Sequence, residues 1–294
     1  MEALRAVRER RMEALRASYG STSDSDRSPK SSKDSRHISN TKESDRLPPP
    51  PIALIQSPPP LAYCQTSQAS RVRSFPHVEG NYALHVFIPV LIPPVIKKEL
   101  ILALKRVASL VPSLHAVDVD IPLSDMCKDD GLLEQFLGRE FHISLGRTVP
   151  IRVHQIGSVV TMLRQKLQSQ NRYWMDFSKW EVFVNDDQTR SFLSMEVTAG
   201  GLSEITRQIH VVNDVYKLHN LPKFYENARP HISLAWALGD ISHSLRRAVE
   251  ELKRHSPNAG SSRKQIFTCK FSGIECKIGK KSYKICKIEG QQLL

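Results

Sequence analysis

The sequence predicts an α+β fold of two like lobes, with antiparallel sheets, flanking helices and a pseudo-twofold repeat of His-x-Ser strands around a central cleft. Three observations lead there. The segment His-Ile-Ser-Leu occurs twice, within Phe141–Leu145 and within Pro230–Leu234. Each copy closes a similar unit of strand, helical pattern and His-x-Ser strand, from Tyr82–Pro89 through Ile96–Leu110 to His142, and from Arg190–Thr198 through Leu202–Leu218 to His231. Strands and helices in this order, joined by hairpins as well as crossovers, fit an α+β chain rather than a doubly wound sheet.

The elements follow from local pattern. Tyr82–Pro89 is an apolar run closed by proline, and Ile96, Leu100, Leu104, Val107 and Val111 then recur at helical spacing. A short strand is expected near Val117–Ile121, then a polar loop over Ser124–Asp130, then the first His-x-Ser strand over Glu140–Arg147. Ile156, Val159, Val160, Leu163 and Leu167 share one face of the next helix. Strands at Tyr173–Val184 and Arg190–Thr198 flank Asn185-Asp186-Asp187-Gln188, a turn rich in residues that bond their own backbone and so suited to a hairpin. Ile205, Ile209, Val212 and Tyr216 form the core face of a helix ended by Asn220 and Pro222. The second His-x-Ser strand, His231–Ala237, stops at Gly239. A helix over Ile241–Arg254, a loop over Ser256–Ser262 and β-runs at Gln265–Lys270, Ile274–Ile278 and Tyr283–Ile288 complete the folded part.

Before residue 71 the composition differs. Residues 1–19 are rich in Ala, Leu, Arg and Glu, and a basic helix of that length is marginal without packing. Ser, Asp, Lys and Arg dominate from Gly20, followed by the proline runs Pro48–Pro51 and Pro58–Pro60. Such a segment buries too little apolar area to offset its ordering entropy, so residues 1–70 read as a disordered Ser/Pro-rich basic tail and residues 71–294 as the folded domain.

The whole chain of 294 residues carries a net charge of +12 with 40% hydrophobic residues, which points to a polyanionic partner and to one substantial core or two small ones fused. No apolar run reaches the length of a membrane span, and the N-terminus lacks the apolar core of a signal peptide, so a soluble intracellular protein without membrane contact is expected. Five cysteines, an odd number without a C-x-x-C pair, argue against a disulfide framework and fit a reducing compartment. The eleven histidines form no H-x-x-x-H pair, and neither G-x-G-x-x-G nor a phosphate-binding P-loop occurs. Neither metal nor cofactor is expected.

In an extended strand residues two apart share a face, so each copy presents one imidazole and one hydroxyl on one side and anchors Ile and Leu on the other. A lone strand histidine is usually a satisfied core or edge residue; the repeated context singles out His142 and His231. Two imidazoles across a cleft suit cleavage of a phosphodiester by a neighbouring hydroxyl. One, neutral, takes the proton of a ribose 2′-OH, and the other, protonated, gives one to the leaving 5′-oxygen. Ser144 and Ser233 are placed to hydrogen-bond the non-bridging phosphate oxygens. A serine nucleophile is disfavoured because neither serine sits in a G-x-S-x-G elbow. Tyr225, taken alone, reads as a ring capping the sheet. Trp174, Trp180 and Trp236 read as core, and His77, His85, His115, His154 and His210 as structural or surface.

Paired H-x-[ST] strands in a two-lobed chain resemble the two-histidine (2H) phosphoesterases. More closely, Arg71-Val-Arg-Ser-Phe-Pro-His77, Val182-Phe-Val-Asn-Asp-Asp-Gln-Thr-Arg-Ser-Phe192 and Phe224-Tyr-Glu-Asn-Ala-Arg-Pro-His-Ile-Ser-Leu-Ala-Trp236 resemble the U6 small nuclear RNA phosphodiesterases, over roughly residues 71–290. The resemblance implies a nuclear, monomeric 3′-to-5′ RNA exonuclease that trims an oligouridine tail and leaves a 2′,3′-cyclic phosphate or a 3′-phosphate. It implies His231 as base, His142 as acid, Ser144 and Ser233 on phosphate and Tyr225 stacked on a base. The turn holding Asp186 aligns with a uridine-contacting loop, where the family is expected to carry an amide. A 2′,3′-cyclic phosphodiesterase, a ligase-like enzyme with the same site, and a non-catalytic RNA-binding protein remain open alternatives at this point.

Overall fold

A computed structural model describes residues 75, 78–119, 121–254 and 265–287. The Ser/Pro-rich segment 1–70, the Arg71–His77 motif apart from Phe75, and the loop over 256–262 lie outside the described residues. The strands, all paired antiparallel, form two sheets. The first has the order β10 (Lys281–Lys287), β9 (Gly273–Ile278), β1 (Asn81–Leu91), β3 (Glu140–Ser144). The short β4 (Val149–Arg152) follows β3 along the same edge of β1, pairing with Asn81–Leu84. The second sheet has the order β2 (His115–Ala116), β7 (His231–Leu238), β6 (Arg190–Val197), β5 (Trp174–Val184), β8 (Phe267–Lys270).

The repeat expected from sequence is present. β1 runs into helix α1 (Lys97–Leu110) and its antiparallel neighbour is β3; β6 runs into helix α5 (Leu202–Leu218) and its antiparallel neighbour is β7. The registers correspond: Pro89 faces His142 and Phe87 faces Ser144, while Glu196 faces His231 and Ser194 faces Ser233. Strand alternation acts as predicted. Ile143, Leu145, Ile232 and Leu234 are wholly buried in a single core cluster, whereas His142, Ser144, His231 and Ser233 are half-buried on the opposite face.

Helices cover the core face of the sheets. α1 packs on α6 (Ser242–Arg254), α6 on β5, and α4 (Val153–Leu167) on both α5 and β10. The apolar spacings read for α1, α4 and α5 match their buried residues, Leu100, Leu104 and Val107, then Val159, Val160, Leu163 and Leu167, then Ile205, Ile209, Val212 and Tyr216.

Between α1 and β3 the structure differs from the sequence reading. The strand expected at Val117–Ile121 is displaced to His115–Ala116, because Asp118 adopts φ 62° and the chain folds back so that the Ala116 amide donates to the Ile121 carbonyl. The loop expected over Ser124–Asp130 contains helix α2 (Leu123–Met126) and the start of α3 (Asp130–Leu137). Asp129 starts α3, its Oδ1 accepting the Gly131 amide at 2.8 Å, and Leu133, Phe136 and Leu137 are buried. β3 ends at Ser144, three residues before the expected boundary. Gly146 follows because a Cβ there would lie 3.1 Å from Tyr216 and Val212, a close approach of the chain to α5.

Candidate active site

β2 covers only Ala235 and Trp236 of β7, and β3 comes against β7 where the two sheets meet. Both His-x-Ser strands therefore lie at one seam, each with its imidazole and hydroxyl on the half-buried face.

In the second lobe the tautomer of the histidine is fixed. His231 Nδ1 lies 2.7 Å from the Arg229 carbonyl, which can only accept, so Nδ1 carries the proton and the neutral ring leaves Nε2 bare. Phe183 of β5 stacks on this ring, with centroids 3.8 Å apart and planes 13° apart. Burial lowers the His231 pKa below the ordinary histidine value; the Arg229 carbonyl and Glu196 oppose the shift, and His142 and Arg229 add to it. At neutral pH the ring is a neutral acceptor, which a base requires. Ser233 Oγ is 3.0 Å from Ser194 Oγ, and Ser194 is wholly buried.

In the first lobe His142 packs edge-on against His85, centroids 4.9 Å apart, and against Phe87 at 5.6 Å. His85 Nε2 lies 3.0 Å from Ser144 Oγ. Burial, then the charge of His142, push the His85 pKa down to about 3, so this ring stays neutral. With Nε2–H donating to Ser144 Oγ, the serine keeps its own proton for a further acceptor; Ser194 can serve Ser233 in the same way. Each lobe thus has an imidazole and a hydroxyl backed by a polar partner from the neighbouring strand.

His85 is the clearest residue the sequence reading passed over. It lacks the repeated His-x-Ser context, but its place on β1, two residues from the residue facing Ser144, was a signal of alternation that could have found it. Trp174, read as core, is 53% exposed, with the Lys270 ammonium 5.0 Å over its ring; the β5–β8 register sets Trp174 opposite Lys270 on the face away from the core.

Tyr225 and Asp186 are brought together through Arg147, three residues beyond Ser144. The Arg147 guanidinium lies 4.1 Å over the Tyr225 ring, pairs with the Asp186 carboxylate, and its Nε donates to the Lys223 carbonyl at 3.0 Å. Tyr225 is 42% exposed, and Phe224 packs edge-on against it at 5.1 Å. Burial first, and Asp186 with it, raise the Tyr225 pKa, so the hydroxyl remains protonated. Among the described residues no group of three His, Cys, Asp or Glu side chains is arranged to hold a metal ion, and no helix is long and apolar enough to cross a membrane.

Residues 48–286 match the HVSL family, described as an uncharacterised conserved protein. The chain belongs to the HVSL family. Among curated relatives of this HVSL chain, U6 snRNA phosphodiesterase 1 of Mus musculus is 27% identical over 83% of the chain and 84% of the relative. U6 snRNA phosphodiesterase 1 of Danio rerio is 34% identical over 60% of the chain and 56% of the relative. The resemblance carried by the motif blocks is thereby borne out. Among solved structures, Kluyveromyces marxianus Usb1 with uridine monophosphate is 14% identical, covers 69% of this chain and 97% of its own, and superposes with a TM-score of 0.48.

Proposed function

We propose that this protein is an RNA phosphodiesterase that processes the 3′ end of U6 small nuclear RNA, acting as a metal-independent 3′-to-5′ exonuclease on its oligouridine tail. One observation carries the chemistry: two His-x-Ser strands from like units meet at one seam, each with its imidazole and hydroxyl on the half-buried face. The substrate is supported by relatives named U6 snRNA phosphodiesterase 1 and by the net charge of +12.

His231, with Nε2 bare, takes the proton of the penultimate ribose 2′-OH. The resulting alkoxide attacks the adjacent phosphorus, and the bond to the terminal nucleoside's 5′-oxygen breaks. His142 gives that oxygen its proton, leaving a 2′,3′-cyclic phosphate on the shortened RNA. In-line reaction with water by the reverse roles opens the ring to a 3′-phosphate. Ser144 and Ser233 hold the non-bridging oxygens as their charge grows, and Tyr225 stacks on a base while Asp186 borders it. This chemistry belongs to residues 71–294 of a nuclear monomer, and residues 1–70 contribute none of it.

The test uses an oligouridine with a free 3′-hydroxyl in excess chelator, with gel and mass analysis of products, compared with the same RNA bearing a 2′-deoxy at the penultimate nucleotide. Stepwise shortening of the first and no reaction of the second is expected. Cleavage of the deoxy substrate, or activity that appears only with a divalent ion, overturns the mechanism. Reaction only with RNAs that already end in a cyclic phosphate would make the protein a cyclic phosphodiesterase.

A further inference from the structure

Arg229, two residues before His231, is clamped by carboxylates from two strands. Its Nε donates to Glu196 Oε1 and its Nη2 to Glu196 Oε2, both at 2.6 Å, and Nη2 also reaches Glu181 Oε2 at 2.7 Å. Lys179 Nζ completes the group, 2.6 Å from Glu181 Oε2. A forked guanidinium on a carboxylate is held in plane as well as in place. The register puts the clamp beside the reacting groups: Glu196 faces His231, and Glu181 faces Ser194, which faces Ser233.

So held, Arg229 reaches the His231 ring from two directions. Its backbone carbonyl accepts the hydrogen bond from Nδ1–H, and its guanidinium lies 4.9 Å over the face of Phe183, whose ring stacks on His231 at 3.8 Å. The imidazole is thus fixed along its edge by the carbonyl and across its face by Phe183. The Arg229 side chain is 42% exposed but that of Glu196 only 10%, so loss of the guanidinium leaves a buried carboxylate unpaired, a cost to the fold that thermal melting separates from any effect on the ring.

We propose that Arg229, clamped by Glu196 and Glu181, is a positioning residue that holds His231 in the tautomer and orientation of the base. The inference rests on the assignment of His231 as base. The charged groups around that ring are Glu196 from β6, Glu181 and Lys179 from β5, Arg229 from the preceding loop and His142 from β3. Their signs give the test its direction. Removing the Arg229 cation while releasing two carboxylates favours the protonated ring; removing the Glu196 charge favours the neutral one.

The experiment measures kcat, KM and the pH dependence of kcat/KM on oligouridine for the full chain and the variants Arg229→Met, Arg229→Lys, Glu196→Gln and His231→Gln, each checked by thermal melting. Arg229→Met is expected to lower kcat about tenfold or more, since small misplacements of a reacting group are costly, with KM within about threefold. Its acid limb should move to higher pH and that of Glu196→Gln to lower pH. Arg229→Lys should keep the limb near that of the parent but recover only part of kcat, because an ammonium lacks the fork. Limbs that stay fixed or move in the same direction overturn the proposal, as does full recovery by lysine. Should Arg229→Met fail to fold, Arg229→Lys and Glu196→Gln still decide. His231→Gln separates the two readings: activity retained there removes the base assignment, whereas activity lost there with Arg229 variants unaffected removes only the positioning role.

Discussion

Replacing His85 tests whether a residue outside the repeated motif prepares the phosphate site. In the structure its Nε2 lies 3.0 Å from Ser144 Oγ, and its ring packs against Phe87 at 5.0 Å and His142 at 4.9 Å. If Ser144 donates to a phosphate oxygen, Ser144→Ala removes a hydrogen bond to a charged group, about 1.5–3 kcal/mol. That is a loss of roughly ten- to 150-fold in kcat/KM. His85→Ala leaves the hydroxyl in place but unaimed, forfeiting about 1 kcal/mol, or about fivefold. Because His85 acts through Ser144, the double variant should lose no more than Ser144→Ala alone, giving a coupling energy about equal to the His85 effect. The assay is steady-state cleavage of an oligouridine by the four proteins of the cycle, with melting curves to confirm folding. Strict additivity would refute the reasoning and show that His85 works through His142 or by packing.

Three further outcomes follow from the same geometry. His142→Gln and His231→Gln should each cost at least about 10² in turnover while RNA binding persists, and a substrate with a much better leaving group should rescue only His142→Gln; equal rescue would defeat the assignment of acid and base. Because burial depresses the His231 pKa, the base is lost only as pH falls through a value below that of a free histidine, so the acid limb of kcat/KM should lie below about 6.5, and a limb above it would contradict the burial argument. Tyr225→Ala should raise KM for oligouridine by an amount equivalent to about 1–3 kcal/mol with a smaller change in kcat, measured by initial rates and by equilibrium binding to a non-cleavable 2′-deoxy RNA.

By itself the sequence determined the local arrangements that a short run of residues enforces. The period of two in a strand put His142 with Ser144 and His231 with Ser233 on one face and the Ile and Leu of each copy in the core, and the helical periods of α1, α4 and α5 selected their buried faces. Both units of the repeat and the hairpin at Asn185–Gln188 were legible for the same reason. Tertiary structure decided what surrounds those groups. His85 meets Ser144 across 59 residues, Ser194 meets Ser233 across 39 and Arg229 meets Glu181 across 48, contacts set by strand register that no local period encodes. The β-bulge between Leu193 and Ser194 shows why. Leu193 pairs with Ala235 and Ser194 with Ser233, which leaves Leu234 as an extra residue on β7; a one-residue shift moves later side chains to the other face, so simple alternation counted along β7 fails beyond it. Trp174 illustrates the same limit: its size suggested burial, but its pairing opposite Lys270 at the end of β5 left it in solvent. The two imidazole–hydroxyl pairs are written locally in two tetrapeptides, and their surroundings are written in the pairing of distant strands, because hydrogen-bond registers depend on the whole sheet.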